Sequence, residues 1–202
     1  MNLLPVVEFA PTYYQTKHHA MPECSKWNCC DDWDAYWKNS LADSGIISLE
    51  PYAKGLWLVE TEELLNHNKA IELMLQKHLI DSKGNIKEDF SALYGGYILE
   101  INETFQIYPE CCGSLKDIHE WKDISKWTDS QETMLWIGHP WLMVSAIEEE
   151  YLQFRRTAEY GEPPKPVIFK VKRSDLKLAV AGAEEKLFNF QQFLLPILRK
   201  IM

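Results

Sequence analysis

Apolar and polar positions alternate at several distinct rhythms along this chain, and each rhythm predicts a different element. Leu56-Trp57-Leu58-Val59 is a short unbroken apolar run and predicts a buried strand. Thr61 follows as a cap for a single helix whose first turn carries Glu62 and Glu63, where acidic groups suit the helix dipole. Leu64, Ile71, Met74, Leu75 and Leu79 give that helix one apolar face, and Asp81 to Asn85 reads as a turn. Tyr97, Leu99 and Ile101 recur at every second position, Asn102 to Thr104 turns the chain, and Phe105 to Tyr108 returns as the second arm of a hairpin ended by Pro109.

Ser114, with Asp117 three residues on, is a capping-box variant. It opens a helix with Leu115, Ile118, Trp121 and Ile124 inward. Trp141 to Ile147 and Glu150 to Arg156 predict a second hairpin, and Val167 to Val171 a further strand after the loop Pro163-Pro164-Lys165-Pro166. The last rhythm is the longest. From a cap at Ser174, Leu176, Val180, Ala183, Leu187, Phe190 and Leu194 recur every three or four residues, with Pro196 set to kink or end the helix. Hairpins bracketed by helices predict an α+β fold: a mainly antiparallel sheet of hairpins flanked by helices, with a long C-terminal helix.

The first forty residues show no such rhythm. They read as irregular and rich in aromatics and cysteine, except for a short helix over Asp32 to Ser40 carrying Trp33, Tyr36 and Trp37. So apolar a segment belongs on a core, and residues 1–202 are expected to form one domain with 1–50 packed onto it. No internal repeat or low-complexity tract interrupts it.

Composition narrows the class. With 46% apolar residues, eight Trp, nine Tyr and eight Phe in 202 residues, a sizeable core is within reach and disorder is not expected. Asp plus Glu number 30 against 21 Lys plus Arg, a net charge of −9. A field of that sign repels nucleic acid and anionic membranes and favours a basic partner or plain solubility. A signal-peptide pattern and a membrane-spanning run are both missing, which places the expected site of action in the cytoplasm.

Catalytic signatures are missing too. Gly95-Gly96 stands outside any phosphate-loop pattern, and Gly113-Ser114 is no nucleophile elbow. His119-Glu120-Trp121-Lys122-Asp123 approaches a zinc-protease helix but ends in Asp where the second His belongs. The cysteines are the strongest oddity: adjacent pairs at Cys29-Cys30 and Cys111-Cys112, with Cys24 close by. Five is an odd count, which favours thiols over a disulfide framework. Three readings stand open: small hydrophobes packed beside tryptophans, a zinc site, or redox thiols. Adjacent cysteines are expected to point apart, so neither pair chelates easily alone. Packing is the reading adopted, with no metal and no cofactor called.

Two acidic clusters complete the inventory. Asp31, Asp32 and Asp34 form one, and Glu148, Glu149 and Glu150 occupy the second hairpin's turn. Such runs are ordinarily solvated surface; here they are also the candidate face for a basic protein. Tyr13, Tyr14, Trp127 and Trp136 are further candidates for a recognition surface.

From Gly95 onward the chain resembles a group of bacterial proteins. The matching residues are Gly95-Gly96-Tyr97-Ile98-Leu99, the run Pro109-Glu110-Cys111-Cys112-Gly113-Ser114-Leu115-Lys116-Asp117-Ile118 up to Trp121, His139-Pro140-Trp141, and Phe169-Lys170-Val171 before the last helix. Proteins of this appearance, marked by a PxCCGxL string, are similar in layout to the SUKH superfamily of α+β immunity and regulatory domains. Tyr94-Gly95-Gly96 only partly echoes the Asn-Gly-Gly signature of the immunity domains. The resemblance covers about half the chain and implies a protein that binds and neutralises a toxin. No functional residue is carried over from it. The expected function is thus a non-enzymatic protein-binding module of the immunity type, its partner a basic toxin. A zinc-binding structural domain and an enzyme with an unfamiliar site are the alternatives.

Overall fold

A computed structural model describes residues 1–79, 90, 93–102, 105–158 and 168–201. Among the described residues, eight strands form two antiparallel four-stranded sheets, and five α-helices accompany them. The chain divides into two compact units, Met1–Pro5 with Tyr94–Phe188, and Val6–Leu93 with Asn189–Met202.

The second unit holds most of the aromatic N-terminal stretch from Val6 onward. The chain does not open irregularly: Asn2–Glu8 is a strand, β1, buried from Leu3 to Val7. Pro5 hid it from sequence reasoning, because proline is normally confined to strand edges and starts. β2, Leu58–Glu60, pairs antiparallel with the second half of β1, Val7 opposite Val59. Helix α1 spans Cys30–Ala42, longer at both ends than expected, with Asp31 and Asp32 in its first turn. Tyr36, Trp37 and Leu41 form its buried stripe at helical spacing. The Trp37 indole N–H donates to the Phe9 carbonyl at 2.8 Å, so a large apolar ring is buried without stranding its one polar atom. Phe9 in turn stacks on Tyr14 at 5.3 Å.

The helix expected from Thr61 is two helices, α2 at Thr61–Leu64 and α3 at Asn68–His78. Asn66, His67 and Asn68 lie at the break, a polar run whose side chains favour caps over helix interiors. His67 bridges it, its Nε2 2.8 Å from Glu63. The predicted apolar face survives the interruption: Leu64, Ile71, Met74, Leu75 and Leu79 are all buried. The turn expected at 81–85 lies outside the described residues, as do Asn85's neighbours and the loop 163–166.

In the first unit both expected hairpins are present. β3, Gly95–Asn102, pairs with β4, Phe105–Ile107, its turn at 103–104 lying outside the described residues. β6, Leu142–Glu148, pairs with β7, Tyr151–Arg156, and β8, Ile168–Lys172, adds to β7. A short strand absent from the sequence reading, β5 at Thr133–Leu135, pairs with β6 and completes the sheet. Ser114 and Asp117 cap as predicted: the Ser114 backbone N–H donates to Asp117 Oδ2 at 2.8 Å. A 3-10 turn then leads into α4, Ile118–Ile124, with Ile118, Trp121 and Ile124 buried. Trp121 stacks on Phe154 of β7, and Phe154 stacks on Phe169 of β8 at 5.0 Å.

The C-terminal helix α5 spans Arg173–Ile201 and passes from one unit into the other. All six predicted apolar positions are buried. Ser174 lies inside this helix rather than capping it, its hydroxyl turned to Asp175, while the Arg173 N–H reaches back to the Glu150 carbonyl. Pro196 does not end the helix, which continues five residues beyond it to Ile201.

Candidate functional site

In the second unit, the chain between a 3-10 turn at Pro11–Tyr13 and α1 is closed by a disulfide, Cys24–Cys29. This overturns the expectation of thiols here. The five-residue separation lets the segment fold back on itself, and the Trp33 indole N–H fixes it by donating to the Cys24 carbonyl at 2.7 Å. An open cleft of about 590 Å³ lies beside the bridge, lined by His19, Pro22, Glu23, Cys24, Asp32, Tyr36 and Asn39 among others.

Charge in this cleft is unevenly satisfied. His19 Nε2 lies 2.9 Å from Asp43, whose carboxylate also accepts the Thr16 and Lys17 backbone N–H groups at 3.0 Å. The contact with His19, backed by those amides, holds the Asp43 carboxyl below the ordinary aspartate range. Of the predicted acidic cluster, Asp31 is paired with Lys54 at 2.6 Å and Asp34 with Lys38 at 3.2 Å. The Lys54 contact lowers the Asp31 pKa. Asp32 and Glu23 are different: both line the cleft, both are exposed, and neither has an ion pair among the described residues. Met21 and Trp27, neighbours of Glu23 in the chain, are 56% and 65% exposed. Two uncompensated carboxylates therefore sit in a concavity with apolar side chains nearby. Tyr14, by contrast, is fully buried, and burial drives its phenol far above the usual range.

A carboxylate oxygen of Asp32 and the sulfurs of Cys24 and Cys29 lie within 4.8 Å of one another. The two sulfurs are joined, and a disulfide has no thiolate to offer a metal, so the bridge and a zinc site there exclude each other.

In the first unit, three strings that are distant in sequence meet at one loop crossing. Gly95 N–H donates to the Gly113 carbonyl, Glu110 N–H to Ile137, and His139 N–H to Cys111. Backbones approach so closely that side chains are excluded. A Cβ on Gly113 would lie 2.6 Å from the Gly95 carbonyl oxygen, and one on Gly96 2.8 Å from Pro109 Cβ. Gly138, at φ 110°, has the carbonyls of Glu110 and Cys111 where its Cβ would be. The His139–Pro140 bond is cis, and the His139 ring sits edge-on between Trp136 at 4.7 Å and Trp141 at 6.1 Å. Its Nδ1 is buried with no hydrogen-bond partner among the described residues.

This crossing presents Cys111 and Cys112 to solvent. Both are exposed thiols, their sulfurs 3.2 Å apart, and Cys30 of the second unit is half-buried. The packing reading of the cysteines is thereby corrected: two are bridged, two are exposed, and none is a buried space-filler. The expectation that adjacent cysteines diverge fails at this pair, because Cys112 adopts φ 70°.

The second acidic cluster spans the end of β6 and the turn into β7, with Glu148, Glu149 and Glu150 all exposed. Glu150 is 3.8 Å from Lys172, and Arg173 donates to the Glu149 carbonyl. Glu148, Glu149 and Arg173 line a shallow cleft of about 280 Å³. Its charge is thus partly answered from within. His119 is exposed on α4, and among the described residues neither His119 nor His139 pairs with a carboxylate. Of the aromatic candidates, Tyr13 is 47% exposed while Trp127 and Trp136 are half-buried.

No family model matches the chain, and no curated protein or solved structure matches it either. The fold defines it as an α+β protein, and among the described residues no helix is long and apolar enough to cross a membrane.

Proposed function

We propose that the protein is a non-enzymatic binding module whose cleft beside Cys24–Cys29 receives a basic side chain of a protein partner, an immunity-type neutraliser of a bacterial toxin acting in the cytoplasm. One observation carries this reading: Glu23 and Asp32 line an open cleft together with Pro22 and Tyr36, and neither carboxylate has an ion pair among the described residues. An arginine or lysine entering there gains two carboxylates, and the flanking apolar groups supply the area that charge alone lacks. The net charge of −9 steers a basic partner toward the molecule. The resemblance between residue 95 and the last helix supplies the toxin-binding class. The cluster Glu148, Glu149 and Glu150 is a secondary contact in this reading, since Lys172 and Arg173 already answer part of its charge.

The test uses native mass spectrometry of tagged protein purified gently from its own cells. Wild type should carry a stoichiometric basic protein. The double variant Glu23→Gln/Asp32→Asn should lose it, with Kd raised about tenfold or more. Asp31→Asn, which removes a carboxylate already held by Lys54, should change Kd little. Equal retention by wild type and the double variant would overturn the cleft as the site.

A further inference from the structure

We propose that reduction of the Cys24–Cys29 bridge creates a zinc site, with the two freed thiolates and the Asp32 carboxylate as its protein ligands. The site goes beyond the binding reading above and does not rest on it, since zinc is held there with no protein partner present.

Spacing in the chain suits paired ligands. Four residues, Ser25 to Asn28, separate Cys24 from Cys29, within the two to about four from which zinc sites draw their cysteine pairs. One turn then aims both side chains at one point. The Asn28 and Cys29 N–H groups both donate to the Ser25 carbonyl, at 3.0 and 3.1 Å. The Trp33 indole donates to the Cys24 carbonyl at 2.7 Å, and the Trp33 backbone N–H to the Cys29 carbonyl at 3.1 Å. Both cysteines are therefore tied to α1 by hydrogen bonds that reduction leaves untouched. Gly55, at φ 78°, lets a second loop lie against the same turn: a Cβ there would be 2.9 Å from the Lys26 carbonyl oxygen.

The third ligand is already in place. Asp32 stands in the first turn of α1, three residues after Cys29, and one of its oxygens and both sulfurs lie within 4.8 Å of one another. Tetrahedral zinc binds sulfur at about 2.3 Å and carboxylate oxygen at about 2.0–2.2 Å, which sets its ligand atoms about 3.5–3.8 Å apart. With the bond between the sulfurs broken, rotation about the two Cα–Cβ bonds parts them to that span, the Cα atoms staying 6.1 Å apart.

Charge and donor type select the ion. Two thiolates and a carboxylate repel one another unless a cation joins them. Magnesium and calcium take oxygen ligands, whereas a tetrahedral set of two sulfurs and one oxygen suits zinc. Cys24 and Asp32 also line the open cleft, so the fourth position belongs to water.

A dithiol is the reductant that balances the step. One of its thiolates attacks a bridge sulfur, its second resolves the mixed disulfide, and the dithiol leaves oxidised to a disulfide. Two electrons and two protons pass to Cys24 and Cys29. Zinc then releases both thiol protons to solvent as two zinc–sulfur bonds and one zinc–oxygen bond form, with no further electron transfer.

The experiment uses the full chain with Cys111→Ser and Cys112→Ser, which removes the two exposed thiols of the other unit. The chain is reduced with dithiol, desalted under nitrogen and titrated with zinc against a chromophoric zinc chelator. One zinc should bind per reduced chain, about a hundredfold or more tighter than to the oxidised chain. Cys24→Ser, Cys29→Ser and Asp32→Asn should each weaken uptake about tenfold or more, while Glu23→Gln and Cys30→Ser leave it unchanged. In reduced wild type, zinc should slow alkylation of Cys24 and Cys29, read by peptide mass spectrometry, and this measurement needs no variant to fold. Equal uptake by oxidised and reduced chains would overturn the proposal. So would undiminished uptake in Cys24→Ser or Asp32→Asn, or alkylation of Cys24 and Cys29 at the same rate with and without zinc.

Discussion

At the scale of single residues, this chain shows how one side chain can organise a segment that has no regular structure. Asp43, just past the end of α1, collects the Thr16 and Lys17 backbone N–H groups and the His19 ring on one carboxylate. Those contacts favour its charged form and lower its pKa. The sign of the linkage follows. The native state binds a proton at Asp43 less readily than the unfolded chain, so the contribution is fully present above the unfolded aspartate pKa of about 3.9. It is lost as pH falls through the depressed native value. Thermal unfolding followed from pH 7 to pH 2.5 should therefore drop more steeply below pH 4 in wild type than in Asp43→Asn. Parallel curves for the two proteins would show that the carboxylate does not hold the segment. None of this is readable from Asp43 in the sequence, where it is one polar residue among several after a helix.

At the scale of elements, hydrophobic periodicity located nearly every helix and hairpin arm, and failed where chemistry interrupted it. Leu64 to Leu79 kept one apolar stripe, but the polar run at Asn66, His67 and Asn68 split the helix that carries it. β1 was concealed by Pro5, and β5 is three residues long, too short for alternation to register. In α5 the reverse happened: Pro196 predicted a kink or stop, and tertiary context carried the helix on to Ile201. A proline there forfeits one backbone hydrogen bond and crowds the carbonyl of Gln192 four residues earlier. Pro196→Ala should consequently stabilise the protein, by about 1–3 kcal/mol in urea unfolding. No gain would mean that the helix terminus frays regardless of residue 196.

For the whole molecule, charge is the property that acts at a distance. The excess of acidic groups gives a field that precedes any contact, and it is screened over about 8 Å at physiological salt. If a basic partner fills the acidic cleft, raising ionic strength from low to several-fold higher should cut the association rate by about tenfold and leave dissociation nearly unchanged. Stopped-flow or surface-based kinetics on the purified pair distinguishes this from apolar docking, for which the association rate would be insensitive to salt.

What the sequence by itself determined was periodic. The α+β class, the two hairpins, the apolar faces of α3, α4 and α5 and the capping pair at Ser114 and Asp117 are all written in local spacing, because backbone geometry turns spacing into a face. The acidic clusters were also visible as residues. Their roles were not: only the fold pairs Asp31 with Lys54 and Asp34 with Lys38 while leaving Asp32 and Glu23 without an ion pair among the described residues. The cysteines divide the same way. Counting them suggested thiols packed in a core, yet the folded segment joins Cys24 to Cys29, and the crossing of three distant strings turns Cys112 to the side of Cys111. Such outcomes depend on which backbones approach each other, a long-range property that no local pattern encodes.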